Sequence, residues 1–140
     1  VWTTYSGIPT TRGCDLSDYI LKNYDKNSKI VEVGVGGFPR VALKLKEHHK
    51  MNIIMTDIKP SHEGVVKDDI TDPNLKIYGG ASLIYSLRPP EELQPYVVKV
   101  AEAVGSDVII KPLSTEFLNT KKNMKLINYK KAVFYKMCKP

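Results

Sequence analysis

The sequence contains few cysteines and no long apolar segment. Its two cysteines, Cys14 and Cys138, stand far apart and lack the spacing of metal ligands. No apolar run approaches the roughly 20 residues that a transmembrane helix needs. Residues 1–13 also lack the basic segment followed by an apolar one that a secretory signal requires. These absences predict a cytoplasmic protein with reduced thiols, no membrane span and no metal site.

Acidic residues are missing from the last part of the chain. Residues 121–140 hold seven lysines and no acid, whereas residues 1–120 hold 14 basic and 15 acidic residues. Tyr129, Phe134 and Tyr135 alternate with these lysines, a mixture typical of surfaces that hold phosphates and stack bases. The segment therefore predicts an RNA or protein partner. Lysines that protect an exposed strand edge from aggregation explain the same pattern.

The length and composition predict one domain over residues 1–140. Apolar residues make up 42% of the chain and charged residues 26%, which is ordinary for a soluble globular protein. A chain of 140 residues can bury one sizeable core. It is short for an enzyme with an elaborate substrate lid.

Residues 30–37, Ile-Val-Glu-Val-Gly-Val-Gly-Gly, combine an apolar strand with a glycine turn. Gly34 and Gly36 can adopt a positive φ and leave no side chain between the backbone and a ligand. Helical spacing follows over residues 38–49, so the unit predicts strand, tight turn and helix, which bring the backbone close to a nucleotide. Asp57 ends the next apolar run, 23 residues after Gly34, where a carboxylate can accept both ribose hydroxyls.

The charge of Glu32 bears on which nucleotide binds. Because side chains repeat every two residues in a strand, we expect Glu32 to point the same way as Gly34, toward the ligand. At roughly 5 Å and an effective dielectric near 20, a carboxylate repels a pyrophosphate charge by about 3 kcal/mol. Pro39 also replaces the third glycine of the dinucleotide fingerprint. Both features disfavour NAD and favour a cationic ligand such as S-adenosylmethionine. Alternatively, the glycine turn binds no ligand and Glu32 forms an ion pair with Lys29.

Apolar periodicity predicts alternating strands and helices. Strands are predicted at 29–33, 52–56, 64–67, 81–86 and 107–111, helices at 15–24, 39–49 and 91–104, and a hairpin at 125–129 and 133–137. We expect Asp15 or Ser17 to cap the first helix. Right-handed crossovers then give an α/β, Rossmann-like, doubly wound and mostly parallel sheet with a C-terminal antiparallel hairpin.

The expected ligand crevice lies at the carboxyl ends of the first and fourth strands, where the strand order reverses. Eight candidate residues fall on this edge: Glu32, Gly34, Gly36, Asp57, Asp68, Asp69, Ser86 and Arg88. Their convergence indicates a nucleotide-type site more strongly than any one motif does.

With these motifs, residues 15–137 resemble a class I S-adenosylmethionine-dependent methyltransferase domain, and more narrowly a small family of uncharacterised archaeal proteins with that fold. The resemblance implies that Glu32, Gly34 and Gly36 hold the methionine end of the cofactor. It further implies that Asp57 binds the ribose, and that Asp69 or its neighbour Asp68 contacts the adenine amine.

The chain departs from the methyltransferase pattern in two places. Many amino-methylating members carry Asp or Asn, two prolines and an aromatic residue after strand four, whereas residues 86–91 read Ser-Leu-Arg-Pro-Pro-Glu. Only residues 113–123 are available for the long helix that usually precedes the hairpin. The resemblance therefore implies an S-adenosylmethionine-binding protein, and it leaves open whether this is a minimal methyltransferase of unknown acceptor.

No catalytic residue follows from the sequence. Arg88 can hold an anionic substrate, but an ion pair with Glu91 or Glu92 is the better explanation for this arginine. Tyr85 or Ser86 can orient a nucleophile, although Tyr85 also fits the core. The alternative function is a noncatalytic Rossmann-like module that binds RNA or a protein partner through its lysine-rich C-terminal hairpin.

Overall fold

The structure is a computed structural model that describes residues 11–37, 39–112, 118, 120 and 123–139, with side chains from residue 15 onward. Lys121 and Lys122 of the lysine-rich segment therefore lie outside the described residues. Within the described part of the chain, no helix is both long and apolar enough to cross a membrane.

A seven-stranded sheet forms the centre of the molecule. Its strands are β1 (Lys29–Val33), β2 (Asn52–Asp57), β3 (Val65–Lys67), β4 (Ala81–Leu87), β5 (Asp107–Lys111), β6 (Lys125–Tyr129) and β7 (Ala132–Met137). The order is β3-β2-β1-β4-β5-β7-β6. Strands β1 to β5 run parallel, and β7 is antiparallel to both β5 and β6. The predicted doubly wound sheet with a terminal antiparallel hairpin is confirmed, and its order reverses between β1 and β4.

Helices cover both faces of this sheet. They are α1 (Thr11–Asn23), α2 (Arg40–Leu43), α3 (Leu75–Tyr78) and α4 (Gln94–Val104). A π-helical turn, Lys44–His48, continues α2, and a 3-10 turn, Glu91–Leu93, leads into α4. The prediction that Asp15 or Ser17 caps the first helix is wrong, because α1 begins at Thr11. Asp15 instead accepts a hydrogen bond from the backbone N–H of Lys131 at 2.9 Å, and Ser17 is buried.

Neighbouring residues of each central strand point into two different cores. Ile30 of β1 packs in the cluster beneath α1 and α2, whereas Val31 packs in the cluster beneath α3 and α4. Leu83 and Ile84 of β4 divide in the same way. Parallel strands covered on both faces are apolar at successive positions, which is why the sequence shows continuous apolar runs here. This packing fixes the carboxyl ends of β1, β2 and β4 relative to one another.

Candidate functional site

The glycine turn after β1 is tied to the end of β2. Gly34 and Gly36 have φ of 71° and 70°, values that strain a residue with a β-carbon. The backbone N–H groups of Gly34 and Val35 both donate to the carbonyl of Thr56, at 2.9 and 3.1 Å. The turn therefore presents bare backbone at the edge where β1 and β2 end.

Asp57 joins this turn to the loop after β2. Its Oδ2 accepts the N–H of Gly36 at 2.9 Å, and its Oδ1 accepts the N–H of Lys59 at 2.9 Å. The residue is only 8% exposed, so both bonds lie in a largely buried setting. A carboxylate oxygen can accept two hydrogen bonds, so each oxygen of Asp57 keeps acceptor capacity for a ligand.

Asp68 holds the loop that follows β3. Its Oδ1 accepts the N–H of Asn74 at 3.0 Å, and its Oδ2 accepts the hydroxyl of Tyr78 at 2.6 Å. Burial, together with the hydrogen bond to Asp68, raises the pKa of Tyr78, so this phenol remains a donor. Both oxygens of Asp68 thus already have local partners.

Asp69 presents an acceptor that the loop does not use. Its Oδ1 accepts both the hydroxyl of Thr71 at 2.7 Å and the backbone N–H of Thr71 at 3.0 Å. These two bonds lower the pKa of Asp69, so the carboxylate is ionised at neutral pH. Its Oδ2 makes no hydrogen bond within the part of the chain that the structure describes.

A cavity of about 300 Å³ opens between these groups, at the carboxyl ends of β1, β2 and β3. Gly34, Asp57, Asp68 and Asp69 line it together with an apolar set, which consists of Val33, Ile58, Ile70 and Leu93. This volume lies at the lower end of the range for small-molecule sites. Apolar walls with convergent carboxylates suit a ligand that has a flat apolar part and several hydrogen-bond donors.

Two of the apolar lining residues were missed by sequence reasoning. Ile58 is 40% exposed, and it follows Asp57 directly. The sequence signal that could have identified Ile58 is a large apolar residue in a loop next to an acid. Leu93 reaches the cavity from the turn after β4, a contact that depends on tertiary packing and leaves no local trace in the sequence.

Glu32 lies behind the turn and is not among the residues that line the cavity. Only 2% of it is exposed, its Oε1 accepts the hydroxyl of Tyr85 at 2.7 Å, and the backbone of Ala42 also hydrogen-bonds to it. Burial raises the pKa of Glu32 to about 7, although both hydrogen bonds act in the opposite direction. The full charge assumed from the sequence is thus present only above about pH 7. Lys29, which the sequence suggested as an alternative partner of Glu32, instead donates to the carbonyl of Gly79 at 2.7 Å.

The residues at the end of β4 are held within the fold. Tyr85 and Ser86 are both fully buried, and Ser86 donates to the carbonyl of Val33 at 3.0 Å. Neither is placed to orient a nucleophile at the surface. Arg88 has a φ of 52°, and its N–H donates to the carbonyl of Lys111 at 2.6 Å. This bond links the carboxyl ends of β4 and β5.

The lysine-rich hairpin packs against α1. Phe134 is fully buried with its ring centroid 4.9 Å from that of Tyr19, so it is not available to stack on a base. Lys136 donates to the hydroxyl of Tyr19 at 2.9 Å and lies over its ring. Lys130 forms an exposed ion pair with Asp18 at 3.0 Å, of a kind that contributes little to stability. Among the described residues, no group of three or more His, Cys, Asp or Glu is arranged to hold a metal ion.

Comparison with known proteins identifies relatives along almost the whole chain. The model of the uncharacterised protein family UPF0146 matches residues 14–139. A UPF0146 protein of Methanothermobacter thermautotrophicus is 48% identical over 121 residues, which cover 86% of this chain and 91% of that protein. One of Archaeoglobus fulgidus is 45% identical over 124 residues, with coverage of 86% and 90%.

Solved structures share the fold at low sequence identity. MtNAS in complex with MTA and tNA superposes with a TM-score of 0.59 at 13% identity, over 90% of this chain and 58% of that chain. A mutant of MtNAS in complex with S-adenosylmethionine superposes with a TM-score of 0.57 at 13% identity, over 91% of this chain and 62% of that chain. The chain thus spans about three fifths of the MtNAS chains. A SAM-dependent methyltransferase from Aquifex aeolicus superposes with a TM-score of 0.54 at 11% identity, over 92% of this chain and 93% of that chain. The fold is therefore the Rossmann-like fold of class I methyltransferases.

Proposed function

We propose that the chain, which belongs to the uncharacterised protein family UPF0146 of archaeal proteins, binds S-adenosylmethionine at the carboxyl edge of its sheet. The observation that carries the proposal is Asp57, whose carboxylate is held by two backbone N–H groups beside a partly apolar cavity. The shared fold of the methyltransferase and of MtNAS with S-adenosylmethionine supports the same ligand class.

Asp57 is suited to the ribose of this ligand. A ribose presents two neighbouring hydroxyl donors, and a carboxylate can accept one hydrogen bond on each oxygen. Because the N–H groups of Gly36 and Lys59 each bind one oxygen of the carboxylate, its orientation is set before a ligand arrives. Such preorganisation lowers the entropic cost of binding.

Asp69 is the better candidate for the adenine amine. The sequence left Asp68 and Asp69 as alternatives, but each oxygen of Asp68 already accepts one hydrogen bond in the loop, whereas Oδ2 of Asp69 accepts none within the part of the chain that the structure describes. Asp69 is ionised and keeps one oxygen for a donor in the cavity. The side chains of Ile58 and Leu93 supply apolar surface for the flat purine ring.

The bare turn at Gly34 and Gly36 would receive the methionine end. Glu32 precedes this turn in β1, and its two hydrogen-bond partners, Tyr85 and the backbone of Ala42, carry no charge. A cationic group above the turn would therefore favour the ionised form of Glu32. This electrostatic preference distinguishes S-adenosylmethionine from an anionic dinucleotide.

When bound, S-adenosylmethionine supplies an electrophilic methyl group. The residues of this chain would bind and orient the cofactor, which is the main requirement of methyl transfer, since positioning alone supplies much of the rate. We assign no proton transfer to Tyr85 or Ser86, because both are buried and donate to Glu32 and Val33.

Calorimetric titration tests the proposal. S-adenosylmethionine is expected to bind with a dissociation constant weaker than about 1 µM, because a cavity of about 300 Å³ encloses only part of the ligand. NAD, which carries a pyrophosphate, is expected to bind at least about tenfold more weakly. The absence of heat at millimolar S-adenosylmethionine, or tighter binding of NAD, contradicts the proposal.

A further inference from the structure

The hairpin leaves one edge of the sheet open. Strand β6 pairs only with β7, so its outer side has no neighbouring strand among the residues that the structure describes. At the other end of the sheet, β3 has three residues and includes Lys67, two features that limit pairing with a further strand. Strand β6 has five residues, and its one charged residue, Lys125, stands at its start. The middle of β6 therefore lacks the charges that keep an edge strand from pairing.

The hairpin geometry shows which backbone groups of β6 face outward. The carbonyl of Val133 faces β5, because it accepts a hydrogen bond from Lys111 Nζ at 2.8 Å. Its partner in the register of β6 and β7 is Asn128. Because successive residues of an antiparallel pair direct their backbone groups to opposite sides, the N–H and C=O of Asn128 and Leu126 point away from β7. No hydrogen bond satisfies these four groups within the described part of the chain.

The side chains of this edge offer an apolar contact on one face of the sheet. Ile127 and Tyr129 pack against the core cluster beneath α1. Since side chains alternate along a strand, Leu126 and Asn128 lie on the opposite face. Leu126 is 47% exposed there, and Val133 on the neighbouring strand is 45% exposed. A further strand at this edge would therefore gain both backbone hydrogen bonds and an apolar neighbour.

We infer that β6 pairs with β6 of a second copy of this chain, antiparallel and about a two-fold axis at Ile127. In this register, Leu126 of each copy exchanges backbone hydrogen bonds with Asn128 of the other, so all four outward groups of each chain gain partners. The two Leu126 side chains lie diagonally across the axis, within reach of each other. The pairing joins the two seven-stranded sheets into one continuous sheet.

Charge is compatible with an axis at Ile127. Lys125 then lies opposite Tyr129 of the second copy, so it faces a neutral ring and not a cation. The two Lys125 residues are separated by four positions along the strands, about 14 Å at roughly 3.4 Å per residue. Repulsion between them is therefore weakened by distance and by solvent.

Neighbouring registers bring lysines together. An axis at Asn128 places Lys125 opposite Lys131 of the second copy, and an axis at Leu126 places the two Lys125 residues diagonally next to each other. Like charges that face each other across strands are destabilising. The lysine positions thus favour one register for a second copy of this chain.

Pairing through β6 is independent of the proposed function, because it needs no cofactor. The two-fold axis reverses the strand direction, so the two cavities open at opposite edges of the joined sheet. The contact is small, with four backbone hydrogen bonds and one apolar pair, and such interfaces are weak. We therefore expect a dissociation constant of about 10 to 100 µM.

Sedimentation equilibrium over about 2 to 500 µM protein measures the association. The mass is expected to rise from that of one chain to nearly twice that value. Asn128→Pro removes an outward N–H without removing a hydrogen bond to β7, and proline is tolerated on an edge strand when its missing N–H faces solvent. Because two of the four intermolecular hydrogen bonds are lost, this variant is expected to associate at least about tenfold more weakly.

A second variant guards against a local effect of proline. Leu126→Lys places two cations diagonally across the axis and is also expected to weaken association at least about tenfold. Val133→Lys is the matched control, because it adds the same charge on the same face, one strand farther from the edge. It should associate within about threefold of the wild type. Circular dichroism verifies that each variant is folded.

Oxidative cross-linking tests the register, in a protein whose Cys14 and Cys138 are replaced by serine. Ile127→Cys faces its own copy across the axis and is expected to form a disulfide-linked dimer. Lys125→Cys, about 14 Å from its copy, is expected to stay unlinked.

Four results would overturn the inference. The first is a wild-type chain that stays monomeric at about 500 µM. The second is association that neither Asn128→Pro nor Leu126→Lys weakens, which would place the interface elsewhere. The third is cross-linking of Lys125→Cys as efficient as that of Ile127→Cys. The fourth is a monomer whose Leu126 and Asn128 amides are protected from hydrogen exchange, which would show that another segment of the same chain covers this edge.

Discussion

Replacing Asp57 by alanine is expected to weaken S-adenosylmethionine binding by at least about 100-fold. Hydrogen bonds to a charged acceptor are worth about 1.5 to 3 kcal/mol each, so two ribose hydroxyls contribute about 3 kcal/mol or more. That free energy corresponds to two decades in the dissociation constant. Calorimetry on the wild type and the variant measures the difference.

Asp57 also holds the turn, so the variants must separate binding from folding. The alanine variant leaves the N–H groups of Gly36 and Lys59 without their acceptor. Asp57→Asn keeps one carbonyl acceptor and is expected to lie between the wild type and alanine in affinity. Asp25→Ala, which removes an exposed carboxylate from the turn after α1, is the matched control and should bind normally. A loss smaller than about threefold in folded Asp57→Ala would exclude Asp57 as the ribose acceptor.

Replacing Glu32 by glutamine is expected to change how stability depends on pH. Burial raises the pKa of Glu32 from 4.5 to about 7, so the native state holds more protons than the unfolded state between these values. The free energy of unfolding from this group is therefore highest at acid pH and falls as the pH rises toward 7. At 1.36 kcal/mol per pKa unit, the fall is about 3 kcal/mol.

Urea denaturation between pH 4.5 and 8 tests this linkage. Glutamine does not titrate, so the Glu32→Gln protein should gain about 3 kcal/mol relative to the wild type across this range. Glu63→Gln, an exposed substitution in the loop before β3, is the control and should follow the wild-type curve. If the wild-type and Glu32→Gln curves stay parallel, Glu32 does not titrate in the way its buried setting requires.

The strands were predictable because the sheet is apolar at successive positions. Strands β1, β5 and β6 have the bounds expected from the sequence, and the others differ by one residue at an end. β1 stops before Gly34 and β5 stops before Pro112, two residue types that interrupt strands locally. The start of α1 was not predictable in the same way, because Asp15 interacts with Lys131, more than a hundred residues away in the sequence.

The site was predictable in position but not in its hydrogen bonds. Sequence spacing brought Gly34, Asp57 and Asp69 to one edge, where the structure also has them. Alternation along β1 implied that Glu32 faces the ligand as Gly34 does. However, the backbone N–H of Gly34 donates to the carbonyl of Thr56, while the Glu32 carboxylate accepts the hydroxyl of Tyr85 on the neighbouring strand β4. A cross-strand partner 53 residues away has no local signal.

The position of the hairpin lysines in the fold was also not predictable from the sequence. The sequence located seven lysines near the end of the chain, but it did not indicate which end of the sheet they occupy. The antiparallel direction of β7 brings the turn at Lys130 and Lys131 beside Arg88 and Lys111. It also buries Phe134 against Tyr19, which removes one of the aromatic residues expected to face a base.

The most direct measurement of the central claim is an NMR titration of the ¹⁵N-labelled protein with S-adenosylmethionine. Binding at the cavity predicts shifts of the Gly36 and Thr71 amides, whose N–H groups donate to Asp57 and Asp69, while the Asn128 amide of the hairpin stays unchanged. Unchanged Gly36 and Thr71 amides at millimolar ligand, or shifts confined to the hairpin, would contradict the assignment of this edge as an S-adenosylmethionine site.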